Sequence, residues 1–473
     1  MQYDLLIRGG RIVDPLNAVD MVGDIAFAGG TVARVAERID PTGAREVYDV
    51  EGHLVVPGVI DSHVHLTYEG TSEGLAYNML LRRGVTTALD MMGGIDLFLE
   101  EIKAMGHGLN GACLHSLIIG KDVATSAAGR EEVAGAIDAV LERGAFGIKI
   151  MGGHYPFTPE TTGYIIDECA KRRVYVAFHA GTTANGSNIN GFLEAVDIAD
   201  GRPLHMAHVN AYCRGQVEDP LLETGRLLRS LEQNPNIVSE SYLSVMNGTS
   251  AEVDEAENVR SNITRTWLKH AGYSLDKRGM EKAIRDGWAS IYARYGDELI
   301  YLTPQDGLAF WEKMKTDAWC SFPVNNPVAM LACATAKRKD GSFTVDAIST
   351  DGGSVPRNVI FENGIRLVQM RYLTMQDLVA KSSLNPARLL GLVNKGHLSP
   401  GADGDVAVFC PQEGKALYTV IGGKIRMAAR ACGEGPGVVV TREEGKKAVE
   451  KAGIPCQVPD FSQSTFLRGH PAA

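Results

Sequence analysis

Two histidines two residues apart close an apolar run near the start of the chain, Val59-Ile60-Asp61-Ser62-His63-Val64-His65. Residues i and i+2 of a strand face the same side, so His63 and His65 project together. Alone, such a pair is more often two hydrogen-bonded histidines than a metal site. Other apolar runs, however, also carry ligand-type residues. Phe146-Gly147-Ile148-Lys149-Ile150-Met151 places a lysine within a strand, where a cation is costly to bury without a partner. Either Lys149 pairs with a carboxylate across the fold, or it is neutral and is converted by CO2 to a carbamate. A carbamate is anionic and can bridge two metal ions. Val176-Ala177-Phe178-His179 closes one further run and Leu204-His205-Met206-Ala207-His208 another. His205 and His208, three apart, cannot share a face of a regular strand. His208, nearer the C-terminal end, is the expected ligand, and His205 a core histidine or one that supports a ligand from behind, the core reading being favoured. Finally, Ala347-Ile348-Ser349-Thr350-Asp351-Gly352-Gly353 brings a carboxylate out of an apolar strand. That suits a metal ligand that also moves protons, although by itself it would read as a turn aspartate.

Positioning these residues requires strands alternating with helices. From residue 54 onward there are eight candidate strands: 54–66, 85–91, 113–119, 146–151, 174–180, 203–209, 236–243 and 346–351. Helical stretches fall between most of them, the signature of parallel βα units. Eight units point to a closed (β/α)8 TIM barrel, whose sites lie at the C-terminal strand ends. An open doubly wound sheet would show similar local signals. Residues 3–56 read as short strands punctuated by Gly9-Gly10, Pro15 and Gly29-Gly30, and short strands return after the turn-rich stretch at 396–405. The expected organisation is a small β-sandwich domain built from 1–56 and 396–433, a barrel over 57–395, and a C-terminal tail over 434–473. The connection 244–345 reads as helix-rich, with helices over 253–271 and 276–295. Connections of that length carry a lid or an oligomer contact. Together with the long tail, it motivates the expectation of a homodimer or homotetramer.

The formal net charge of −10 argues against non-specific nucleic-acid binding, which needs a basic face. The chain opens without the basic and apolar regions of a signal peptide, and no apolar run is long enough to span a bilayer. Its eight cysteines are scattered, as in a reduced protein. These features lead to the expectation of a cytoplasmic enzyme with a small-molecule substrate, bound to neither membrane nor nucleic acid. Gly93-Gly94 forms no phosphate-binding fingerprint.

The set His63, His65, Lys149, His179, His208 and Asp351, on strands one, four, five, six and eight, resembles the metal ligands of the amidohydrolase superfamily. The subtype resembled is binuclear with a carboxylated lysine, as in hydantoinases, dihydropyrimidinases and dihydroorotases. The resemblance extends through the opening strand Leu5-Leu6-Ile7-Arg8-Gly9-Gly10 and the lead-in Val56-Pro57-Gly58-Val59-Ile60-Asp61. It continues in the closing segment Asn385-Pro386-Ala387-Arg388-Leu389-Leu390-Gly391. It implies two divalent ions per subunit, Zn2+ first, with Mn, Co or Fe suiting the same ligands. It also implies a metal-activated water, Asp351 as proton carrier, and hydrolysis of a C–N bond in a cyclic amide or imide. Hydantoinases place a tyrosine five residues after the lysine. Here His154 holds that position and Tyr155 follows, so both are candidate oxyanion donors. Gly144-Ala145-Phe146-Gly147 and Ser239-Glu240-Ser241-Tyr242 resemble instead the D-aminoacylase branch, which lacks the lysine. Deacylation of an N-acyl-D-amino acid is therefore the second expectation. A non-catalytic binding protein of this fold would have lost ligands, whereas all six positions are filled. Arg214, Asn325 and Arg357 are candidate substrate contacts, with salt bridging an equal explanation for the arginines.

Overall fold

The computed structural model describes residues 2–67 and 74–470; residue 1 and the last three residues of the expected tail lie outside it. Five strands open the chain: β1 (Tyr3–Asp14), β2 (Val19–Ala28), β3 (Thr31–Ala36), β4 (Ala44–Asp49) and β5 (Leu54–Pro57). Seven parallel strands follow: β6 (Val59–His65), β7 (Val85–Asp90), β8 (Asn110–Ser116), β9 (Gly147–Met151), β10 (Tyr175–His179), β11 (Leu204–Met206) and β12 (Ile237–Tyr242). The long connection carries β13 (Met246–Ser250), β14 (Ser290–Tyr295), β15 (Glu298–Tyr301) and β16 (Trp319–Pro323), after which come β17 (Ala347–Ser349) and β18 (Gly352–Gly353). β12 pairs with β17 and β18 pairs with β6, both in parallel. The sheet therefore closes on itself, with its eighth position shared by β17 and β18 around Thr350-Asp351. Helices between the strands cover its outside, so a strand such as β7 is buried along its whole length, as parallel strands covered on both faces are. β19 (Val406–Phe409) then pairs with β5, and β20 (Ala416–Ile421), β21 (Lys424–Ala428) and β22 (Ala431–Cys432) extend the first sheet. Both ends of the chain thus build the β-rich domain beside the barrel.

The run 54–66, expected as one strand, is two. β5 belongs to the first sheet and β6 to the barrel, with Gly58 between them. A Cβ at Gly58 would lie 2.1 Å from Thr86 Oγ1, so only glycine lets the chain cross from one sheet to the other here.

The connection 244–345 is also corrected. It holds a four-stranded sheet in the order β13-β16-β14-β15 as well as helices, of which Asn262–His270, Lys277–Arg285 and Pro304–Lys313 help build a separate apolar core with Trp267, Met280 and Trp311. The helix expected over 276–295 stops at Arg285 and gives way to β14. The local signal was present: Gly296-Asp297 links β14 to β15 with Tyr295 opposite Glu298, a two-residue hairpin turn with a positive-φ glycine at 296.

Beyond β22, β23 (Val438–Val440) adds in parallel beside the start of β8 and also pairs with β24 (Cys456–Gln457). Phe466 stacks on Tyr175 with ring centroids 4.2 Å apart, and Phe461 meets Phe146 edge-on at 5.5 Å. Tyr175 opens β10 and Phe146 precedes β9, so these tail aromatics close the barrel at the N-terminal ends of its strands. The tail thus has partners within its own chain. Phe466→Ala should cost about 3–5 kcal/mol by emptying a buried aromatic site, read as a lower thermal midpoint. An unchanged midpoint would show that the tail is not part of the core. Among the described residues no helix is long and apolar enough to cross a membrane.

Candidate metal centre

At the other end of the barrel, a cavity of about 740 Å³ is lined by His63, His65, Lys149, His179, His208 and Asp351. These are the six residues singled out in the sequence, five near strand ends and Lys149 within a strand. His63 and His65 leave the end of β6 together, and their Nε2 atoms lie 3.2 and 2.6 Å from Asp351 Oδ1. The ligand atoms of these three side chains all fall within 4.8 Å of one another. His208 Nε2 stands 3.1 Å from His179 Nδ1. Two nitrogens bound to one ion at about 2.0–2.1 Å in tetrahedral geometry would be about 3.3 Å apart, so this spacing fits a shared ion. Among the described residues, the buried His208 Nδ1 has no hydrogen-bond partner.

The electrostatics suit cations. Burial, reinforced by Lys149 and neighbouring imidazoles, pushes His63 and His179 well below the ordinary histidine pKa, and burial does the same to His208. All three are therefore neutral, the form that ligates metals. Burial opposes the charge on Asp351, but the Arg357 guanidinium overcomes it and holds the carboxyl well below its usual range. Arg357 Nη2 lies 2.6 Å from Asp351 Oδ2, and its Nε donates to the Asp351 carbonyl. The candidate ligand set thus presents neutral imidazoles around a fixed carboxylate, which a divalent ion fits.

Two of these candidate ligands owe their direction to left-handed backbone. β11 ends at Met206, and His208 has φ +38°; Asp351, between β17 and β18, has φ +50°. Such conformations are strained for residues with a Cβ and cluster at functional sites. A network holds the Asp351 turn in place. Asp61 accepts from Thr350 N at 3.1 Å and from its Oγ1 at 2.6 Å, while Asn358 Oδ1 accepts from Gly353 N at 2.6 Å. His205 stays in the core, with Nδ1 2.7 Å from the Tyr175 hydroxyl.

Glu240 was not among the residues picked as site members. It is fully buried on β12. Its Oε1 accepts hydrogen bonds from His63 Nδ1 at 2.7 Å and from the His208 backbone N–H at 2.6 Å, and its Oε2 accepts from Ser349. This leaves His63 Nε2 as the lone-pair nitrogen facing the cavity, the usual role of a carboxylate behind a ligating histidine. An acid inside Ile237-Val238-Ser239-Glu240 carries the same signal as Lys149 in its strand, and that signal could have found it.

The remaining candidates divide. His154, Arg214 and Arg357 line the cavity, but Tyr155 and Asn325 do not. Tyr155 is exposed. Asn325 lies behind Arg214, accepting from its Nε at 2.8 Å and donating to the Ser244 and Met246 carbonyls. The connection 244–345 supplies much of the outer wall, including Asn262, Trp267, Lys269, Tyr292 and Trp319.

A closed barrel with a histidine- and aspartate-lined cavity at its C-terminal strand ends defines a metal-dependent hydrolase. Residues 54–259 and 299–426 match the amidohydrolase family, and the chain belongs to it. It is 26% identical over 450 residues to a dihydroorotase of Pelotomaculum thermopropionicum, covering 86% of this chain and 89% of that one. Among solved structures, a D-aminoacylase with a binuclear metal centre superposes with a TM-score of 0.65 at 16% identity, over 92% of this chain and 99% of that one. A D-hydantoinase does so with a TM-score of 0.61 at 14% identity, over 92% and 98%. The protein is thus an enzyme acting on C–N bonds of small molecules.

Proposed function

We propose that the protein hydrolyses cyclic amides or imides, working with two divalent ions and a carboxylated Lys149. The observation that carries this reading is the setting of Lys149. It is fully buried, lines the cavity beside the histidines and Asp351, and its Nζ meets Met91 Sδ at 3.2 Å. Among the described residues no carboxylate lies within ion-pairing distance of it. Burial brings its pKa down to about 8, against the pull of Glu240, Asp351 and Asp90. The neutral amine that reacts with CO2 is therefore accessible, and the carbamate adds the anion this cluster of neutral imidazoles lacks. Relatives and neighbours named dihydroorotase and hydantoinase support a ring substrate.

Bound divalent ions, held by His63 and His65 on one side and His179 and His208 on the other, would lower the pKa of water and polarise a carbonyl. Asp351 takes the water's proton and passes it to the leaving nitrogen, which is too basic to leave without one. Arg357 keeps that carboxylate ionised and fixes its plane. Glu240 orients His63, and Ser187, 2.8 Å from His179 Nε2, orients His179. His154 is the donor to the developing oxyanion, in preference to Tyr155.

Metal analysis should find about two divalent ions per chain. Chelation should abolish turnover of hydantoins or dihydropyrimidines, with Zn, Mn or Co restoring it. Full activity in metal-free protein would overturn the mechanism. Turnover of N-acyl-D-amino acids alone would move the function to the deacylase reading.

A further inference from the structure

We infer that Arg214 is the anchor for a carboxylate carried by the substrate away from the bond that is cut, an inference that rests on the hydrolase reading above. Arg214 follows the short helix Val209–Tyr212 beyond β11 and lines the cavity. Its Nε donates to Asn325 Oδ1 at 2.8 Å, and its Nη2 to the Tyr242 hydroxyl and Asn247 Oδ1, both at 3.1 Å. Its guanidinium carbon lies 5.4 Å from the centroid of the buried Trp267 ring. Every one of these partners is uncharged.

Among the described residues no carboxylate pairs with Arg214, and its Nη1 makes no hydrogen bond. A partly buried cation without a counter-ion is unfavourable, yet this one is held firmly in place. Asn325 has its own amide committed to the Ser244 and Met246 carbonyls, at 3.0 and 3.1 Å, so its Oδ1 is locked toward the guanidinium. The surroundings orient the charge and leave it unanswered. Arg357, the other cavity-lining arginine, differs in that Asp351 neutralises it. A single uncompensated guanidinium with only Nη1 left to donate matches a monoanion, which selects a carboxylate over a phosphate dianion. Trp267 beside it gives the bound group an apolar flank.

The test compares acids with their uncharged carboxamides, so that the same scaffold is read with and without the charge. Hydantoin-5-acetic acid against hydantoin-5-acetamide, and N-acetyl-D-leucine against N-acetyl-D-leucinamide, cover both substrate readings. Wild-type protein should favour the acid of at least one pair by about 10- to 100-fold in kcat/KM, the range of a charge-assisted hydrogen bond. In Arg214→Gln that ratio should collapse toward unity, and Arg214→Lys should retain part of it. A ratio within one variant cancels any general damage to the fold. Calorimetric binding of the same four compounds to metal-free protein gives a second readout independent of hydrolysis. If neither scaffold is turned over but wild type binds the acids more tightly than Arg214→Gln does, the proposed reaction fails and the anchor stands. Equal binding of acid and amide by wild type, or an acid preference that survives in Arg214→Gln, would overturn the inference. Tighter binding of inorganic phosphate than of either acid would overturn the assignment to a carboxylate.

Discussion

Asp351→Asn is expected to lower kcat by about 100- to 10,000-fold, the range for a lost general base, while the protein remains folded. Asparagine has nearly the same volume and tolerates the left-handed backbone that Asp351 adopts at φ +50°. Its amide oxygen can still accept from Arg357. What it cannot do is take a proton from water, or balance the charge of the guanidinium 2.6 Å away. Some loss of stability is therefore expected from an unneutralised buried arginine, visible as a lower thermal midpoint. Metal content measured on the same preparation separates the roles. A variant that keeps its metal and loses turnover has lost a base, whereas one that loses both has lost a ligand. Turnover near wild type would remove Asp351 from proton transfer.

Lys149→Ala should lose bound metal and activity together, by more than the about 10- to 100-fold that removing an outer partner of a metal ligand costs. The reason is charge. Two dications about 3.5–4 Å apart repel strongly unless an anion lies between them, and the other protein groups here are neutral imidazoles around one carboxylate. Bicarbonate should not rescue the variant, because no amine remains to be carboxylated. A small carboxylic acid filling the vacated space should restore part of the activity. Two tightly bound ions and near-normal turnover in Lys149→Ala would end the carbamate reading and favour the deacylase alternative.

Much of this site was legible before any folding, because it is written in short-range terms. The two-residue period places His63 and His65 on one face, and apolar runs ending in His179, His208 and Asp351 mark strand ends, where barrels gather their chemistry. Lys149 announces itself as a charge inside a buried strand. The same logic would have reached Glu240 had it been applied to β12. The misreadings in the connection 244–345 arose where helical and strand signals share one window: the amphipathic helix Lys277–Arg285 runs into the hairpin of β14 and β15 within a few residues.

What the order of residues determined by itself was therefore the list of candidate ligands, the barrel that carries them, and the two-ended β-rich sheet beside it, since period, turn residues and strand spacing are local properties. Only the tertiary structure decided which partners these residues and their neighbours in the cavity wall meet. His63 meets Glu240 across 177 residues of chain, Asp61 meets Thr350 across 289, and Arg214 meets Asn325 across 111. No local pattern encodes contacts at such separations; they exist because the barrel closes. Closure brings β18 against β6, and a left-handed turn at His208 and another at Asp351 then redirect side chains that strand periodicity alone would have aimed elsewhere. The same holds at the opposite end, where Phe466 finds Tyr175 only because the chain's last segment returns beneath the barrel to cover an apolar surface the strands leave open.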